Sequence, residues 1–245
     1  MTDTGKLFSF EFVSLNLVAF FAFCNMSVFY SFFTYLERIG IAPEWRGFLI
    51  GLEPMAAFAL RLAVVPVLHA GNAATGMLIA LTMIVAALFS YGWVVTIPGL
   101  IVLRIFHGAA FVLLVSACMS LAVCFIPRVR SAQGFGVLSV SILLPYAVVP
   151  PVTEALLRHW QSEQDIYRSV TVLAIPAFAV LWVLRGRLGK TLCSMEGALT
   201  RRPTREEIRL DLKERPVVLL LAVTLLVYSC YATVFFFMKK YAETK

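Results

Sequence analysis

The chain has 245 residues, of which 60% are hydrophobic and only 14% are charged, and its mean hydropathy is +0.87. This composition excludes an ordinary soluble globular domain and predicts a polytopic membrane protein. The formal net charge of +7 would suit a nucleic-acid-binding protein, but the basic residues gather between apolar segments. We therefore attribute the charge to membrane topology and expect a lipid bilayer, and no nucleic acid, as the partner.

Seven apolar segments are long enough to cross a hydrocarbon layer of about 30 Å, which takes about 20 helical residues. Their runs are continuous and lack the alternation of barrel strands, so they predict an all-α fold. Pro145, Pro150 and Pro151 fall inside the fifth segment, and we expect them to break or bend that helix. The segments are 12–36, 45–68, 75–95, 99–126, 132–157, 167–184 and 217–238.

The distribution of Lys and Arg predicts a cytoplasmic N-terminus. With that orientation the inner connections hold twelve basic residues and the outer ones seven. The asymmetry is strongest in the connection 185–216, which holds nine. We interpret this connection as an amphipathic helix lying on the membrane surface, and the alternative is a binding site for acidic lipid or a partner protein.

Ionisable side chains inside apolar segments are the candidate functional residues, because their burial in a membrane is costly. Glu53 and Arg61 lie in the second segment and Arg104 in the fourth. Arg104 could hold an anionic group or tune the proton affinity of a carboxylate, and Glu53 is the natural partner. The alternative is that Arg104 snorkels to the outer interface.

Three further residues extend this candidate site. His107 lies one turn beyond Arg104 on nearly the same helix face, where it either titrates or is a packed, hydrogen-bonded group. Gly108 suits close contact with another helix. Asn25 in the first segment either lines a cavity or bonds a neighbouring helix.

No pattern of residues in the sequence indicates an enzyme. The sequence shows no nucleophile with a matched base, no glycine-rich phosphate loop and no metal-ligand spacing. The five cysteines form no Cys-x-x-Cys pair, so a disulfide framework is not expected either. We predict a protein that is not an enzyme and that binds no cofactor and no metal.

The fourth segment carries the most specific motif. In "LRIFHGAAF", Arg104 and Gly108 stand in the places of the Arg-x-x-x-Gly signature on the fourth helix of the major facilitator superfamily, which the chain resembles over its whole length. The following "FIPRVRSAQGFG" is similar to the family's exit into an inner loop and the start of helix five, where Gly134 is a packing or gating candidate.

Two stretches depart from the family pattern. Where the family has an acidic and basic loop between helices two and three, the chain reads "VPVLHAGNAATG", with His69 near the acidic position. The fifth segment reads "LLPYAVVPPVTE" in place of an antiporter signature. The prolines of this segment, Pro145, Pro150 and Pro151, are gating candidates because they can open the helix.

The resemblance implies a six-helix bundle over 1–184, a basic cytoplasmic connection over 185–216, and the first helix of a second, truncated bundle over 217–245. It also implies secondary transport of a small solute by alternating access, proton-coupled, such as efflux of a metabolite or drug-like compound across a bacterial inner membrane. We expect the chain to be a fragment that is inactive without its missing half. The alternative is a non-transporting seven-helix sensor or scaffold. The solute could be a small organic anion or a hydrophobic compound.

Overall fold

The fold is all-α in the computed structural model, where no strand occurs among the described residues. The expected fold class is therefore confirmed. Most of the basic connection and of the seventh predicted segment lies outside the described residues. These are 6–160, 162–193, 204, 206, 210, 213–220, 222–223, 226–227 and 230.

Eight α-helices follow one another up to residue 193. A 3-10 turn at Val28–Ser31 joins the first two, and another at Thr171–Leu173 joins the last two. The helices are α1 (Phe10–Ser27), α2 (Phe32–Arg38), α3 (Pro43–Val64), α4 (Ala70–Ser90), α5 (Ile97–Phe125), α6 (Ser131–Trp160), α7 (Glu163–Val170) and α8 (Ala174–Cys193).

Five stretches of the described chain are long and apolar enough to cross a membrane, which confirms a polytopic membrane protein. Helix α3, which corresponds to the second predicted segment, is 22 residues long and is not one of these five; it carries two charged candidates, Glu53 and Arg61. The five stretches are Phe10–Arg38, Ala70–Ser90, Ile97–Phe125, Ser131–Trp160 and Glu163–Leu188.

Local chemistry sets the helix boundaries. Ser9 accepts a hydrogen bond from the amide of Phe12 and so caps the N-terminus of α1. Gly40 has a φ of 79°, a left-handed conformation that ends the α2 region and turns the chain towards α3. In the first turn of α4, Asn72 accepts from the amide of His69 at 2.9 Å and donates to the carbonyl of Val67 at 2.9 Å. These local hydrogen bonds stabilise the connection between α3 and α4, which departs from the family pattern.

Helix α5 lies at the centre of the bundle, with α3 and α4 packed along it, while α1 packs against α6 and α8. Small residues bring the central helices close together: a Cβ on Gly76 of α4 would lie 3.7 Å from the Cβ of Ala117 of α5. In a membrane this close packing replaces the hydrophobic effect as the main source of helix association.

Two sequence expectations are corrected. Helix α6 runs without interruption from Ser131 to Trp160, so the prediction that its prolines break the helix is wrong. Each proline removes one backbone hydrogen bond, and a membrane helix can tolerate that loss because the remaining bonds hold its shape. The last predicted span of the bundle begins earlier, at Glu163, and its helix α8 continues to Cys193 rather than ending at 184.

Candidate functional site

The structure brings Arg104 of α5 and Glu53 of α3 together inside the bundle. Their side chains approach to 3.4 Å between Nη2 and Oε2, and only 1% of Arg104 and 3% of Glu53 are exposed. Snorkelling of Arg104 to the interface is therefore wrong, because the guanidinium points inward to α3. Two opposite charges in contact partly offset the cost of removing each from water.

Backbone carbonyls hold the same guanidinium. Nε of Arg104 donates to the carbonyl of Leu49 at 3.0 Å, and Nη2 donates to the carbonyl of Ile50 at 3.0 Å. The cation also lies over two aromatic rings, 4.6 Å from the centroid of Phe32 and 5.6 Å from that of Phe29. We call Arg104, Glu53 and these two carbonyls the arginine site.

Gly108 makes this contact between helices possible. It lies one turn beyond Arg104 on α5 and is buried against α3. A Cβ at this position would lie 2.5 Å from the carbonyl oxygen of Glu53, which is closer than real Cβ contacts. The two residues of the Arg-x-x-x-Gly motif therefore both act on α3. Gly108 lets α5 approach α3 closely, and Arg104 donates hydrogen bonds to the backbone carbonyls of α3.

An aromatic cluster covers the arginine site. Phe29 lies at its centre, with the ring centroids of Tyr167, Tyr91 and His107 at 4.7, 4.9 and 5.3 Å. Tyr91 and Tyr167 are also electrostatic neighbours of Arg104. Sequence reasoning missed both tyrosines, because aromatic residues near span ends are typical of the membrane interface. The two are fully buried here.

His107 belongs to this cluster and not to solvent. Its side chain is fully buried, and neither ring nitrogen has a hydrogen-bond partner in the part of the chain that the structure describes. Its ring lies between Phe29 and Tyr91, at 5.3 and 6.0 Å between centroids. The structure thus places His107 next to the arginine site, as its spacing from Arg104 suggested, but among aromatic rings.

The other candidates lie apart from the arginine site or have packing contacts. Arg61 is exposed in the last turn of α3, two turns beyond Glu53, so it does not join Arg104. Asn25 is buried and donates to the carbonyl of Phe21 in its own helix at 2.8 Å. Gly134 is buried against Ile126, to which a Cβ would approach within 2.6 Å.

The three proline candidates of α6 differ in burial. Pro145 is buried, Pro150 is half-buried and Pro151 is exposed. The helix is continuous through all three prolines. The structure therefore shows no opening of α6 that would support a gating role for them.

A second polar cluster joins the first span to α6 and α7. The hydroxyl of Tyr30 donates to Oε1 of Glu154 of α6 at 2.5 Å. Arg38, at the end of α2, lies 2.7 Å from Glu163, the first residue of α7 and only 3% exposed. These bonds fix the bundle at the end where the first span finishes.

Among the described residues, no group of three or more His, Cys, Asp or Glu side chains is placed to hold a metal ion. A comparison with curated proteins and with solved structures gave no match. The sequence model of the Major Facilitator Superfamily matches residues 15–245. That match covers nearly the whole chain, including the arginine site on α3 and α5 and the helices that position it. The chain belongs to the Major Facilitator Superfamily, a family of secondary transporters.

Proposed function

We propose that the protein is a proton-coupled transporter of a small solute and that Glu53 carries the proton. The observation that supports this most is a carboxyl group buried within a membrane-spanning bundle. One of its oxygens contacts Arg104, and the other, Oε1, has no hydrogen-bond partner in the described ranges. Such a group is costly in a membrane and marks a proton or solute pathway in many transporters.

Arg104 supplies the fixed charge of this proposal. A guanidinium keeps its proton in proteins, so only the carboxyl partner can change its charge. When Glu53 is ionised, the pair draws α3 and α5 together; when Glu53 is protonated, the Coulombic attraction is lost. Proton binding thus changes the net charge of the pair inside the bundle, and such a change can bias the balance between the two conformations of alternating access.

For the solute, the arginine site favours a weakly charged, hydrophobic compound over a small organic anion. Arg104 is 1% exposed and directs Nε and Nη2 to α3, while Nη1 is buried without a hydrogen-bond partner among the described residues, so the guanidinium is closed to a solute in this conformation. Arg61 is exposed but stands at the end of α3, away from Arg104. We therefore propose efflux of a hydrophobic metabolite or drug-like compound.

We also propose an inner-membrane location in bacteria with a cytoplasmic N-terminus, which the excess of basic residues in the inner connections supports. Related transporters place the solute site between two helical bundles. The described residues up to 193 form one bundle, so we expect transport to require a second bundle.

The test uses the protein reconstituted together with the second bundle that we expect transport to require. Proteoliposomes with an imposed pH gradient are offered ethidium and a panel of radiolabelled hydrophobic compounds. Wild type should accumulate at least one compound against its gradient. Glu53→Gln should abolish accumulation but keep solute exchange, because only the proton step needs the carboxyl group. The matched control is Glu44→Gln, at an exposed position in the first turn of the same helix.

Two results would contradict the proposal. Full accumulation by Glu53→Gln at wild-type abundance would remove Glu53 from proton coupling. Failure of the wild type to move any compound, with the pH gradient intact, would favour a sensor or scaffold.

A further inference from the structure

Helix α3 has a proline in its interior, Pro54, directly after Glu53. In a regular α-helix the amide of residue 54 would donate to the carbonyl of residue 50. Proline has no amide hydrogen, and its ring presses against that same carbonyl. The carbonyl of Ile50 is therefore released from the helix and free to accept a bond from elsewhere.

Arg104 supplies that bond. Its Nη2 lies 3.0 Å from the carbonyl oxygen of Ile50 and 3.4 Å from Oε2 of Glu53, so one nitrogen serves both acceptors and is closer to the carbonyl. Its Nε donates to a second neutral carbonyl, that of Leu49. Two of the three polar contacts with α3 thus do not depend on the charge of Glu53.

We propose that Pro54 is a positioning residue that anchors Arg104 to α3 through the carbonyl of Ile50. Because this anchor is neutral, the guanidinium stays docked when Glu53 takes up a proton, and Glu53 is free to lose and regain its charge. This inference rests on the proposed role of Glu53 as proton carrier.

Pro54→Ala should weaken the bond between Arg104 and the carbonyl of Ile50. The alanine amide can donate to the carbonyl of Ile50 and compete with Arg104 for it. Arg104 then depends more on Glu53, and the carboxylate is held more firmly in its ionised form. An ordinary stabilising effect of alanine in a helix would raise thermal stability but would not change the reactivity of Glu53.

The test is the labelling of Glu53 by dicyclohexylcarbodiimide, which reacts with protonated carboxyl groups in apolar surroundings. Full-length protein is treated in liposomes, and adducts are quantified by mass spectrometry. Pro54→Ala should lower the labelling rate at Glu53 about fivefold, which corresponds to about 1 kcal/mol for one hydrogen bond at 1.4 kcal/mol per tenfold. The matched control is Pro145→Ala, a buried proline of α6, which should leave labelling of Glu53 unchanged.

A second measurement tests the anchor without reference to proton transport. The melting temperature is measured for wild type, Glu53→Gln, Pro54→Ala and the double variant. The double variant should lose more stability than the two single variants predict together, because Arg104 then keeps only the carbonyl of Leu49 as an uncontested acceptor on α3. Additive shifts, or measurable but equal labelling of Glu53 in wild type and Pro54→Ala, would overturn the anchor. An unlabelled Glu53 in wild type combined with a non-additive cycle would instead overturn the proton-carrying role alone.

Discussion

Replacing Gly108 by alanine should separate α5 from α3. The new Cβ would lie 2.5 Å from the backbone oxygen of Glu53 and 3.2 Å from the Cβ of Ala56, whereas Cβ contacts below 3.0 Å essentially do not occur. The helices must therefore move apart by about 0.5 Å, and backbone cannot turn aside as a flexible side chain can. The bond from Arg104 to the carbonyl of Ile50, now 3.0 Å, would stretch towards the limit of a hydrogen bond.

We expect overpacking to cost about 1–3 kcal/mol, which is about 2–12 °C in melting temperature for a protein of this size. The assay is thermal unfolding of purified full-length protein in detergent, followed by its aggregation or fluorescence. Gly136→Ala is the matched control, since a Cβ there meets nothing within 4 Å and the substitution also lies inside a helix. This variant should be neutral or gain up to about 1 kcal/mol from helix propensity.

Equal melting temperatures for Gly108→Ala and Gly136→Ala would refute the close contact between α3 and α5. A loss in Gly108→Ala that is fully present in the Gly136 control would refute the assignment of the effect to that contact.

Two further substitutions test the polar contacts between helices. Arg104→Lys should cost about 1–3 kcal/mol, because a single ammonium cannot reproduce the two N–H groups that donate to the carbonyls of Leu49 and Ile50. Arg61→Lys, at an exposed position, should stay within about 0.5 kcal/mol in the same melting assay, and equal effects would contradict the arginine site. Tyr30→Phe removes the 2.5 Å bond to Glu154 and should cost about 0.5–2 kcal/mol by thermal unfolding, and an unchanged melting temperature would show that this bond does not hold α6 to the first span.

The spans could be predicted from the sequence because apolar runs of sufficient length admit few other structures. Helix α5, Ile97–Phe125, differs from the predicted 99–126 by two residues at most. Physics also made Glu53 the natural partner of Arg104, since a buried cation needs an opposite charge, but the sequence alone does not show that the two side chains meet. The carbonyl contacts were not predicted: Pro54 frees the carbonyl of Ile50, but the sequence does not indicate which side chain donates to it.

The features that the sequence did not predict correctly have physical causes as well. Prolines usually end helices in water, but α6 continues through Pro145, Pro150 and Pro151 because in a membrane no water competes for its remaining backbone bonds. Tyr91 and Tyr167 come from two separate helical regions and meet only through the packing around Phe29. Such long-range convergence is invisible to a pattern read along one segment.

The 3-10 turn at Val28–Ser31 has a consequence for the membrane surface. With 1.5 Å per α-helical residue and 2.0 Å per 3-10 residue, the span Phe10–Arg38 is about 46 Å long. That exceeds the about 30 Å of hydrocarbon and matches a whole bilayer with its headgroups. We therefore expect Arg38, half exposed beside Glu163, to lie at the level of the lipid phosphates. Its ion pair competes with phosphate and dissolved salt, so anionic lipid and ionic strength should weaken this end of the bundle first.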